Sequence, residues 1–328
     1  MARRLKPTAG PSNSDMNLSV IICTHNPHEV FLRRVLEALR TQTLPLDQWE
    51  LLVIDNASPI PLAGRFDLAW HPRARHVREE ELGLTPARLR GIRESQTDIL
   101  VFVDDDNVLA SDYLQQVLAI GQQWPFIGAW SGSCLPEYET PLPEWVGNQV
   151  WRLAVVEVKE DVWSNLREDF TTIPGGAGMC VRRNVCLRFM ARSLDEGVRT
   201  LGRKGSSLGA YEDIELAHCA FDLNLGTGKS TRLRLTHLIP AARVTLDYLV
   251  RQAEGDAASQ ILFRAIRGLP IQKPNPPTLI GSLRWFIHRV IHRVPPEQYE
   301  IQKACQRGLV KGWKLAMDYH SQNTATNK

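Results

Sequence analysis

The chain has no apolar run of about eighteen residues, the length a helix needs to cross a bilayer. Its six cysteines (Cys23, Cys134, Cys180, Cys186, Cys219 and Cys305) form no CxxC pair. Their scatter argues against a zinc knuckle or a disulfide framework, and several lie in apolar runs where cysteine acts as a small hydrophobe. A reducing, cytoplasmic setting is therefore expected. A net charge of +3 over 328 residues is too small for a nucleic-acid-binding surface, so no nucleic-acid partner is expected. Internal repeats and long low-complexity segments are also missing. Residues 1–16 are basic and rich in Ser, Pro and Asn, without a following apolar core, and read as a disordered tail rather than a leader.

What is present is ordinary globular composition, 43% apolar and 23% charged, in a length that suits one large domain with an appendage. The run Ile99–Val103 is apolar, β-branched and aromatic without helical periodicity, as in a strand buried on both faces. It ends abruptly in Asp104, Asp105 and Asp106. Three adjacent carboxylates repel one another unless a cation compensates. Hard oxygen ligands at the carboxyl end of a strand suit Mg²⁺ or Mn²⁺ held against a substrate diphosphate. The bland alternative is a solvated turn leading into the next helix.

Taken in order, Leu18–Cys23 reads as a buried strand ending in Thr24, His25, Asn26 and Pro27. Phe31, Val35, Leu36 and Leu39 follow at helical spacing. Glu50–Ile54 is a second strand, ending in Asp55, and a short strand is expected at 75–77. Thr85 and Pro86 read as the cap and first residue of a helix running to about Ser95. Ser111 or Asp112 caps the next helix. The alternation implies a parallel sheet with right-handed crossovers. From 127 to 158 the pattern is broken by Pro136, Pro141 and Pro143, with a strand possible only at 151–158. Gly175, Gly176 and Gly178 open into a strand at 179–181. This loop lacks the Lys-Ser/Thr of a phosphate-binding P-loop and suits close backbone approach to a ligand. A helix with acids in its first turn begins at Tyr211, and 232–238 is a last strand. Beyond Pro240 the chain reads as helical from 242 to 266. A Pro-rich linker follows, then an apolar stripe through Leu283, Ile287, Val290 and Val294. That stripe suits packing on the rest of the chain, or peripheral membrane contact.

Four pieces in this order, Leu18–Asn26, Glu50–Ser58, Val101–Asn107 and Tyr211–Asp213, resemble the family 2 glycosyltransferases of the GT-A fold, over roughly residues 17 to 245. The resemblance implies an α/β, Rossmann-like, mostly parallel sheet flanked by helices. It divides the chain into a tail (1–16), a catalytic domain (17–240) and a C-terminal helical extension (241–328). It also implies a nucleotide-sugar donor, a carbohydrate or glycolipid acceptor, a Mn²⁺ or Mg²⁺ cofactor and inversion at the anomeric carbon; a UDP-linked donor is expected. By resemblance Thr24, His25 and Asn26 meet the nucleotide, although Pro27 stands where many members carry a basic residue. Asp55 contacts the base, Arg88 reaches the nucleotide or its phosphates, and Asp104–Asp106 match the DxD motif. There Asp104 serves the ribose side, Asp106 the metal, and Asp105 supports. His237 is either a further metal ligand or a strand-end histidine bonded to backbone.

Glu212 and Asp213 resemble the family's ED pair, with Asp213 the expected base for the acceptor proton. Consecutive helical residues point about 100° apart, so one of the two faces the acceptor. Trp130, Trp145 and Trp151 are candidates to stack on sugar rings, at least two of them being core or lid residues. Two other readings stay open: a sugar nucleotidyltransferase, and a non-catalytic nucleotide-sugar-binding protein on the same fold.

Overall fold

A computed structural model describes residues 17–195, 198, 201, 211–274 and 295–326. Among these, nine strands form one sheet: β1 (Leu18–Thr24), β2 (Trp49–Asn56), β3 (Ala74–Glu79), β4 (Ile99–Val103), β5 (Asn107–Leu109), β6 (Ile127–Tyr138), β7 (Val162–Ser164), β8 (Met179–Arg182) and β9 (Gly226–Ile239). The helices are α1 (Glu29–Arg40), α2 (Leu84–Glu94), α3 (Tyr113–Gln123), α4 (Arg183–Arg192), α5 (Glu212–His218), α6 (Leu246–Ile266) and α7 (Pro296–Thr326).

The strands β1, β2 and β4 are apolar along both faces because helices cover both faces. Alternate side chains feed two cores. Val20, Ile22, Val101 and Val103 pack with Leu32, Val35 and Leu39 of α1 and Leu114, Val117 and Ile120 of α3. Ile21, Leu52, Leu100 and Phe102 pack with Ala87 and Ile92 of α2, Phe189 of α4, Leu216 of α5 and Phe263 of α6. In α1 the buried stripe starts at Leu32; Phe31, expected in it, is only half-buried.

The sheet order is β3-β2-β1-β4-β8-β6-β9-β5, with β7 also on β9. Only its first half is the parallel sheet read from the sequence: β3, β2, β1 and β4 are parallel, β8 and β5 run antiparallel to their partners, and β6 and β9 are parallel to each other. The largest departure is β6, twelve residues long where an irregular segment was expected. Gly132 lies at a register shift between Ser131 and Ser133, where a Cβ would lie 2.0 Å from the carbonyl oxygen of Leu233. Such a bulged, glycine-bearing strand carries no clean alternation. The possible strand at 151–158 is not formed; Glu144–Leu153 is a 3-10 segment, and Val156 makes only an isolated bridge to Cys134. β9 begins six residues earlier than read. The short α4, unforeseen, follows β8 directly.

Thr85 is not the cap of α2. Gly83, at φ 143°, precedes the helix, and the Thr85 hydroxyl is used elsewhere. After β9 a 3-10 turn (Ala241–Val244) intervenes, and Thr245 caps α6 by accepting from the Tyr248 N–H. Helix α7 lies along α6 in the same direction. Gly308 faces Glu254 and Gly312 faces Ala258, where a Cβ would lie 2.3 and 2.5 Å from those residues' carbonyl oxygens. Ala304 and Ala316 extend this small-residue contact one turn each way. The tail 1–16 and the apolar stripe from Leu283 to Val294 lie outside the described residues. No helix among the described residues is long and apolar enough to cross a membrane. All six cysteines are free thiols.

Candidate active site

The carboxyl ends of β1, β2 and β4 meet at one edge of the sheet, where ligands of open α/β folds bind. Strand β4 stops because Asp104, Asp105, Asp106 and Asn107 form a tight turn. The Asn107 N–H donates to the Asp104 carbonyl at 3.1 Å, and the Asn107 amide donates to Asp106 Oδ1 at 2.9 Å. The chain then turns back as β5, whose Asn107 pairs with His237 of β9. This pairing sets a histidine 237 positions into the chain beside the acids. His237 Nε2 lies 3.5 Å from Asp106 Oδ2.

The three acids have different surroundings. Thr24, at the end of β1, donates its hydroxyl to Asp105. Burial, then the neighbouring Asp106, pushes the Asp105 carboxyl up to about 7, against the help of Thr24. Asp106 is buried, and Arg243 Nη1 lies 3.0 Å from its Oδ2. The same nitrogen is 3.1 Å from His237 Nε2. A guanidinium has only protons to give, so His237 accepts through Nε2. Sequence reasoning missed Arg243: it lies beyond the last strand in a stretch that reads as the start of a helix.

A cleft of about 410 Å³ opens beside the strand ends, lined by Cys23, Thr24, His25, Asn56, Leu82 and Gly83 among others. Asn56 shapes it, donating to the Glu81 carbonyl at 2.7 Å and accepting from the Gly83 N–H at 2.8 Å. His25 Nδ1 is 2.7 Å from the Asn56 carbonyl. Asn26 holds a left-handed φ of 46°, and its N–H donates to the Ser58 hydroxyl. Asp55 already serves its own loop. It accepts from the Ser58 N–H (3.2 Å), the Leu62 N–H (3.1 Å) and Arg78 (2.9 Å). Burial opposes its charge, but these donors prevail and hold the carboxyl below its usual range. A larger hollow of about 540 Å³, lined by Arg33, Arg40, Phe66 and Trp70 among others, includes none of the strand-end residues.

Helix α5 meets α2 and the 175–178 loop through its first two acids. The two consecutive acids diverge, as helical geometry requires. Glu212 is buried, with Oε1 2.7 Å from Arg88 Nη1 and Oε2 accepting from the Thr85 hydroxyl at 3.1 Å. The Arg88 contact is an ion pair rather than an aligned hydrogen bond. The sequence reading had Arg88 reaching toward the nucleotide; instead it is 3% exposed and turned to Glu212. Burial disfavours the Arg88 charge, but Glu212, Asp104 and Asp213 outweigh it and the net shift is upward. One guanidinium thus stands among acids from the turn after β4 and from α5. Asp213, half-buried, accepts from the Gly176 N–H at 2.8 Å through Oδ2. A Cβ on Gly176 would lie 2.8 Å from Arg88 Nη2, so a side chain there would have to shift the guanidinium. Gly178, at φ 65°, presents its carbonyl to the Tyr113 hydroxyl at 2.7 Å, fixing the other end of the loop.

The short α5 is held from behind. Glu215, fully buried, accepts from Arg192 and from Arg267, each at 2.6 Å. Arg267 follows the last turn of α6 and also pairs with Asp222 at 3.0 Å. Of the three tryptophans, Trp130 is fully buried in the core and cannot stack on a sugar. Trp145 is half-buried and Trp151 is 55% exposed.

Among the described residues no three His, Cys, Asp or Glu side chains form a ready metal cage. Asp106 and His237 nevertheless fit as two ligands of a divalent ion. A carboxylate oxygen and an imidazole lone pair converge within 3.5 Å, leaving other positions for diphosphate oxygens and water.

A mixed sheet flanked by helices, with acids at its strand tips, is a fold of the GT-A type. Residues 19–169 match the family described as Glycosyl transferase family 2. The chain is similar to "Putative glycosyltransferase EpsH" of Bacillus subtilis, 27% identical over 103 residues, and to "Glycosyltransferase AglE" of Haloferax volcanii, 35% identical over 92 residues. These matches cover 31% and 27% of this chain, and only 29% and 30% of those proteins. In fold the chain resembles S. aureus TarS 1-349, with a TM-score of 0.51 and 15% identity, covering 90% of each chain. The same protein in complex with UDP-GlcNAc gives a TM-score of 0.50 at 14% identity, again over 90% of each chain.

Proposed function

We propose that the chain is an inverting, metal-dependent hexosyltransferase that moves a sugar from a UDP-linked donor to an acceptor hydroxyl of a carbohydrate or glycolipid, in polysaccharide or glycoconjugate synthesis. The observation that carries the reading is the division between Glu212 and Asp213. Glu212 is spent on Arg88 and Thr85, while Asp213, half-buried, is oriented by the Gly176 N–H. Asp213 takes the acceptor proton, a step worth roughly 10²–10⁴-fold in rate. Glu212 fixes Arg88, whose charge steadies the acids on both sides. Thr24, His25, Asn26 and Asp55 seat the nucleoside in the cleft, and Asp104 and Asp105 face the ribose and diphosphate side. Asp106 and His237 hold Mn²⁺ or Mg²⁺, which when bound supplies Lewis-acid stabilisation of the leaving diphosphate. The UDP-linked donor is carried over from the UDP-GlcNAc complex of TarS.

The test is a screen of nucleotide sugars for UDP release, with and without Mn²⁺, on the full chain and on Asp213→Asn. Metal-dependent UDP release from one donor is expected, with turnover lost and donor binding retained in the variant. Turnover that survives Asp213→Asn would refute the assigned base, and no release from any donor would refute the enzyme.

A further inference from the structure

Arg243 occupies a place that the reaction needs for something else. Its Nη1 is 3.0 Å from Asp106 Oδ2 and 3.1 Å from His237 Nε2, the two atoms assigned above to the divalent ion. The imidazole Nε2 has a single lone pair, directed in the ring plane. A lone pair that accepts from a guanidinium cannot bind a metal at the same time. The carboxylate oxygens are less exclusive. Two cations drawn to one carboxylate from neighbouring positions nevertheless repel each other at close range.

We infer that Arg243 is a built-in cation of the acid cluster, and that a divalent ion binds Asp106 and His237 only by displacing it. This inference rests on the metal assignment made under the proposed function.

The local design suits such an exchange. Arg243 Nη1 lies 3.0 Å from Asp106, which shares its turn with Asp105 and Asp104. The guanidinium therefore neutralises a group of like charges that would otherwise repel. Its side chain is 29% exposed, so the head has a route to solvent along its own flexible stem. The backbone beneath it is fixed. The Arg243 N–H donates to the Pro240 carbonyl at 2.9 Å, and the Ala241 N–H donates to Glu139 at 2.8 Å. Displacement is thus a side-chain movement that leaves the end of β9 in place. A nucleoside diphosphate would favour it, because the displaced guanidinium then lies beside new negative charge. Metal and diphosphate binding are coupled through this one residue, and the coupling is reciprocal.

The test is Mn²⁺ binding without turnover, read from the free-ion signal in electron paramagnetic resonance titrations of the full chain, with and without UDP. Variants are Arg243→Met and Arg243→Gln, either of which suffices if the other does not fold, with Arg243→Lys and Asp106→Asn alongside. Removing the charge is expected to tighten Mn²⁺ binding in the absence of UDP by about tenfold or more. It is also expected to shrink the factor by which UDP tightens Mn²⁺. Arg243→Lys should stay near the parent protein, and Asp106→Asn should abolish the site. Equal or weaker Mn²⁺ binding in the uncharged variants, with Asp106→Asn still abolishing it, would overturn the exchange alone. No binding by any form, or binding indifferent to Asp106→Asn, would overturn the metal assignment and the exchange with it.

Discussion

The ion pair between Arg88 and Glu212 is the sharpest handle on how the site is held together. Both partners are almost fully buried, at 3% and 5% exposure, and come from helices 124 positions apart. Replacing Arg88 by Met leaves the Glu212 carboxylate buried without its guanidinium partner, with the Thr85 hydroxyl still donating to it. Breaking one side of such a pair costs about 3–5 kcal/mol, because the remaining charge is stranded away from water. At about 2–4 °C per kcal/mol for a domain of this size, the melting temperature should fall by about 10 °C. Removing both charges is a different perturbation. Arg88→Met with Glu212→Leu removes both charges of the pair, and the Thr85 hydroxyl loses its acceptor, at about 1 kcal/mol. The double variant should therefore recover most of the stability lost by Arg88→Met. UDP release should stay lost, because the guanidinium among Asp104, Asp213 and Glu212 is gone. The assay is a double-mutant cycle by urea denaturation, paired with the donor screen. A single variant within about 1 kcal/mol of the parent, or a double variant as weak as Arg88→Met, would refute the reasoning.

Three further outcomes follow from the geometry. His71 and His218 are buried, and burial above all holds each down at about 4, so both fold as neutral imidazoles. The unfolded chain takes up the protons first, near 6.5. The stability they contribute is therefore present above that value and is lost as pH falls through it. Each should give up about 2 kcal/mol between pH 7 and pH 5, and urea melts of His71→Phe should show a correspondingly flatter pH profile. Gly176→Ala should cut turnover at least about tenfold while leaving UDP binding in place, since its Cβ would press on Arg88 and Asp213; unchanged turnover would show that the loop has room. Gly312→Leu should lower stability by about 1–3 kcal/mol, because its Cβ meets the backbone of Ala258 at 2.5 Å; an unchanged melting curve would mean that the two helices separate freely.

How far the sequence could be read depended on whether a signal was local. β4 and its three acids were plain because a strand covered on both faces must be apolar throughout and then stop. β6 was not, because its glycines and Pro136 answer to neighbours such as Leu233 that lie about a hundred positions away. The Asp cluster, Glu212, Asp213 and His237 could be named from order and type. Their partners could not. Nothing near Arg88 announces Glu212, and nothing near Arg243 announces Asp106, because each pair exists only once the sheet edges are joined. Thr85 shows the same limit. Its local chemistry suits a helix cap, but a distant carboxylate takes the hydroxyl instead.

The grip of Arg267 on Glu215 bears on how the protein can be cut. A chain ended after Pro240 would lose one of the two cations that neutralise Glu215. It would also strip Leu262, Phe263 and Ile266 from an interior they share with Ile21 and Leu216. The final helices therefore brace the molecule from within, and a force applied to them is felt at a peptide two residues from Asp213.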